Sequence, residues 1–66
     1  MITMTDNAMK QYNKVIEWFE SQDDQNAVEL ITYAWGYTNA LRHNDLLDDY
    51  EYLQIFQEIL KITKDL

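Results

Sequence analysis

The sequence predicts an all-α fold, a small three-helix bundle, on three observations. The chain of 66 residues contains no proline and a single glycine, Gly36, so the punctuation that strand-rich folds need at every turn is nearly absent. Apolar residues recur three and four apart over three separate segments, the period of a helix face. Short polar stretches divide those segments.

The first segment spans about residues 6–21. Thr5 or Asp6 can cap it, because their side chains accept hydrogen bonds from the unpaired N–H groups of a first turn. Met9, Tyr12, Ile16 and Phe19 form one stripe, widened by Ala8 and Val15, and Trp18 stands at its flank. Lys10, Asn13, Lys14, Glu17 and Glu20 take the opposite side, as in an ordinary amphipathic helix.

The second segment spans about residues 24–43, with Ser21 or Asp23 as the expected cap. It carries two apolar stripes: Leu30, Tyr33, Ala34, Tyr37 and Leu41 form one, and Val28, Ile31 and Trp35 form the other. Such a helix needs neighbours on more than one side. Gly36 lies in its middle, where glycine costs about 1 kcal/mol relative to alanine, so a four-helix arrangement split there also fits the pattern.

The third segment spans about residues 45–65, with Asp45 as the expected cap. Asp48, Asp49 and Glu51 crowd its start while Lys61 and Lys64 lie near its end, an order that complements the helix dipole. Tyr52, Ile55, Ile59, Ile62 and Leu66 make one seam; Leu46, Leu53, Phe56 and Leu60 make a second beside it.

A chain this short forms one domain, here residues 1–66, and buries only about 60% of the surface that its unfolded form exposes. Its composition contains no cysteine and one histidine, His43, which rules out disulfides and leaves no thiolate or imidazole cluster for a structural metal. An enriched core and self-association remain as remedies. The hydrophobic fraction of 47%, with nine aromatic residues, suits both. The surplus seam on the second and third helices therefore predicts a binding face, with Trp18, Val28, Ile31, Trp35, Leu53, Phe56 and Leu60 as its residues. A second copy, giving a symmetric homodimer, or another protein is expected to cover it.

Charge narrows the partner. The net charge of −7 opposes direct binding to nucleic acid or to an anionic membrane surface, and favours a protein with a basic face. Asp23 and Asp24 at one helix start, and Asp45, Asp48, Asp49 and Glu51 at another, are the expected acidic contacts, standing in for a nucleic-acid backbone. Acidic residues at helix starts also serve as caps and solubility devices, so the same residues have a bland explanation.

Catalysis is not expected. There is no glycine-rich phosphate loop and no pairing of a nucleophile with histidine. The spacing Asp45-x-x-Asp48-Asp49-x-Glu51 lacks the glycine turn of a calcium loop. No cofactor or metal is predicted. The start Met1–Asp6 lacks a signal-peptide plan and no run of about 18 apolar residues appears, so the expected location is the cytoplasm, or a host cytoplasm for a phage product. The functional expectation is an acidic helical inhibitor or adaptor of the phage or mobile-element type. The rival expectation is a homodimeric assembly module without nucleic-acid mimicry.

Overall fold

Three side chains decide where the helices begin. The computed structural model describes residues 4–66, so the first three residues of the expected domain lie outside it. Helix α1 runs Asp6–Glu20, α2 runs Ala27–His43 and α3 runs Asp49–Thr63. No strand occurs among the described residues.

Thr5 caps α1, its Oγ1 accepting the Ala8 N–H at 3.0 Å. The start of α2 falls three residues later than the sequence suggested, and neither Ser21 nor Asp23 caps it. Asn26, in extended backbone, accepts the Glu29 N–H at 2.9 Å. The residues before it finish α1 instead: the side-chain amides of Gln22 and Gln25 donate to the carbonyls of Trp18 and Glu20, both at 3.2 Å. Carbonyls at a helix end have no intrahelical partner, so the connection stays non-helical to satisfy them.

The start of α3 is also shifted, from Asp45 to Asp48, which forms a capping box with Glu51. Asp45 has a φ of 58°, and the Leu46 N–H behind it donates to the Leu41 carbonyl at 2.9 Å while its own N–H reaches Arg42 at 3.2 Å. That bond pair is the Schellman closure of a helix C-terminus. Asp45 therefore ends α2, a position that most often belongs to glycine, and does not open α3.

Contacts between side chains fix the directions of the helices. Trp18 stacks on Tyr33 and the Tyr37 hydroxyl donates to Gln11, so α1 and α2 are antiparallel. Arg42 reaches Asp49 and the Tyr52 ring, so α2 and α3 are antiparallel too. Thr5 bonds to Glu51 and Gln54, which sets the starts of α1 and α3 side by side. The result is an up-down-up bundle in which every helix touches both others.

The core lies between them: Ala8, Val15 and Phe19 from α1, Leu30 and Ala34 from α2, Leu47 from the second connection, and Ile55 and Ile59 from α3. Gln11, Thr38 and Gln54 are buried with them. Each is paired: Thr38 donates to the Ala34 carbonyl at 2.6 Å, Gln11 accepts from Tyr37 at 2.7 Å, and Gln54 accepts the Thr5 N–H at 3.3 Å. Burial without such bonds would cost a polar group its hydration with no return.

Candidate functional site

The first stripe of α2 points inward and the second points outward. Val28 is 74% exposed and Trp35 60%, with Ile31 also exposed. On α3 the second seam behaves alike, with Leu53 56% and Leu60 50% exposed, while Phe56 is half-buried against the core and tilted on Tyr52 at 4.9 Å.

One ion pair shows that these two stripes share a side of the molecule. At 100° per residue, Val28, Ile31 and Trp35 occupy an arc of about 60° on α2 that also contains Arg42. On α3, Leu53, Phe56 and Leu60 occupy a similar arc of about 60° that contains Asp49. Arg42 and Asp49 meet at 3.5 Å. The outward side of the α2–α3 pair therefore exposes Val28, Ile31, Trp35, Leu53 and Leu60, and the Arg42–Asp49 pair closes one end of it.

Trp18 belongs elsewhere. It is half-buried, packed against the core and stacked face to face on Tyr33, with centroids 3.7 Å apart and planes within 6°. Tyr33 and Tyr37 continue the stack at 5.9 Å. Tyr33 and Tyr37 thus turn toward α1, Trp35 turns outward, and Tyr52 sits under the Arg42 guanidinium at 4.3 Å.

The acidic residues form two groups at opposite ends of the bundle. Asp23 and Asp24 lie in the first connection, exposed, beside the end of α1. Asp45, Asp48, Asp49 and Glu51 lie around the second connection and the start of α3, where Asp45, Asp48 and Asp49 are exposed. A helix of 17 residues is about 25 Å long, so no single flat contact smaller than the whole bundle covers both groups.

Glu51 is tied into the fold. It accepts from the Thr5 hydroxyl at 2.6 Å, from the Asn7 amide at 3.5 Å and from the Asp48 N–H at 3.3 Å. The Thr5 hydrogen bond, then those from Asp48 and Asn7, hold its carboxyl below the ordinary 4.5 against the opposing effect of burial. Asn7 adds a bond to the Leu46 carbonyl at 2.9 Å. Sequence reasoning missed this network and the Arg42 cluster because polar side chains carry no periodic signal, and because Thr5 and Asn7 lie 46 and 44 residues from Glu51.

Between the end of α1 and the start of α2 an open groove of about 430 Å³ is lined by Trp18, Gln22, Val28, Glu29, Thr32 and Tyr33. Among the described residues no helix is long and apolar enough to cross a membrane, and no three His, Asp or Glu side chains gather as a metal site. Comparison with protein-family models, with curated proteins and with solved structures returned no match to this chain.

Proposed function

We propose that this chain is a protein-protein interaction module without catalytic chemistry, an inhibitor or adaptor that docks on a basic surface of a larger protein. The observation that supports it is the outward apolar face of Val28, Ile31, Trp35, Leu53 and Leu60 on a molecule whose ends are acidic. An exposed tryptophan amid aliphatic side chains is the composition of an interface centre, where large area comes with few torsions to freeze. Carboxylates beyond that centre attract a basic partner and set its orientation.

The test is affinity capture with the wild type and with Trp35→Ala, at low and at high salt. One polypeptide should be retained by the wild type, lost with the variant and released as salt rises. Capture indifferent to both the substitution and the salt would reject the reading.

A second reading is a homodimer through the same face. It is favoured by the charge of that face: Asp49 is the one carboxylate within either arc, and Arg42 pairs with it. Two copies of an acidic chain meet there with little local repulsion. This reading predicts a melting temperature that rises with protein concentration.

A further inference from the structure

We infer that the groove between the end of α1 and the start of α2 receives an arginine side chain of the partner; this rests on the reading of a basic partner above. The three polar side chains among its lining, Gln22, Glu29 and Thr32, can each accept a hydrogen bond, and only Glu29 carries charge. The remaining lining is Trp18, Val28 and Tyr33, an aromatic and aliphatic wall. A guanidinium donates in its plane and stacks by its face, so it matches acceptors at the rim and the indole of Trp18 on the wall, the Tyr33 ring being already stacked between Trp18 and Tyr37. A carboxylate or phosphate ligand would meet Glu29 and no cation.

The surroundings strengthen the match. Between Lys14 and Arg42 the chain contains Glu17, Glu20, Asp23, Asp24 and Glu29 and no lysine or arginine. Arg42 is occupied at the other end of α2 by Asp49 and Tyr52. The wall is also held in place: Tyr33 lies flat against Trp18, and Gln22 is anchored by its bond to the Trp18 carbonyl. A stacking surface already fixed loses little freedom when a ligand arrives. The groove meets the outward apolar face at Val28 and otherwise lies on the α1 side of α2, where it gives the acidic first connection a specific role.

Trp35→Phe leaves Trp18 as the sole tryptophan and allows the groove to be read by fluorescence. That variant is titrated with a short peptide carrying three arginines spaced by glycines, and with the same peptide carrying lysine or neutral citrulline; amide NMR shifts locate the contact. The arginine peptide should change Trp18 emission saturably and shift Glu29 and Thr32. The lysine peptide should bind several-fold more weakly and the citrulline peptide not measurably. Glu29→Gln, an exposed substitution that spares the fold, should weaken the arginine peptide about threefold, the value of an exposed charge pair. Equal binding of the arginine and lysine peptides, or affinity unchanged in Glu29→Gln, overturns the inference. So does a contact confined to Asp45, Asp48 and Asp49, an outcome that would leave the basic-partner reading standing.

Discussion

Gly36 stands inside α2 with nothing within 4 Å of the position a Cβ would take. Its φ is not positive, so the glycine meets no conformational demand there. Gly36→Ala should therefore stabilise the fold by about 0.5–1 kcal/mol, through helix propensity and a less flexible unfolded chain. Asp45 is the converse case. Its left-handed backbone is costly for a residue with a Cβ, so Asp45→Gly should also stabilise, by up to about 1 kcal/mol. Chemical denaturation of both variants checks these values; a destabilised Gly36→Ala would mean that the exposed side of α2 is covered in solution. The tryptophans separate at this scale as well. Trp35→Ala should leave the melting temperature within a degree or two of wild type, whereas Trp18→Ala should cost about 2 kcal/mol, because Trp18 packs on Tyr33 and the core.

At the scale of elements, the junction of α1 with α3 depends on one ionised carboxylate. Glu51 closes the capping box of α3 and accepts the Thr5 hydroxyl from the start of α1. Its carboxyl titrates below 4.5 in the folded state, so the unfolded chain takes up the proton first as pH falls. The stability it contributes is thus present above the unfolded value and lost as pH drops through the folded one. The difference in melting temperature between wild type and Glu51→Gln should be largest near neutrality and shrink below about pH 4. A difference constant from pH 7 to pH 3 would show that the charge of Glu51 does not support the junction. Asp48→Ala, which removes the cap itself, should cost about 1 kcal/mol at neutral pH.

At the scale of the whole molecule, the two readings of the outward face respond oppositely to salt. Attraction between acidic ends and a basic partner is screened as ionic strength rises, so heterologous binding weakens. Two copies of a chain carrying −7 repel at long range, so a homodimer through the apolar face should tighten under the same change. Sedimentation equilibrium at 50 mM and at 500 mM salt measures the second directly. A sharp weakening of self-association at high salt would exclude the apolar face as its basis.

The helix count and much of the inward stripes were legible in the sequence because period is a local property: Leu30, Ala34 and Leu41, or Ile55 and Ile59, recur at helical spacing whatever they pack against, although Met9 and Leu66, assigned to stripes by the same spacing, are exposed. The caps were legible only in part. Thr5 was among the candidates, but Asn26 and Asp48 are the caps of α2 and α3, since the choice depends on which of several capable side chains the connection leaves in extended backbone. The candidate site divides in the same way. That α2 and α3 carry surplus apolar seams is written in their residues, and so is the excess of carboxylates. Which seam turns outward, that both outward seams fall on one side, that Trp18 is drawn half into the core and that the carboxylates separate to opposite ends were decided by the antiparallel docking of α2 on its two neighbours. A single helix has no inside until others pack on it, and three helices choose their contacts by how well their surfaces fit together.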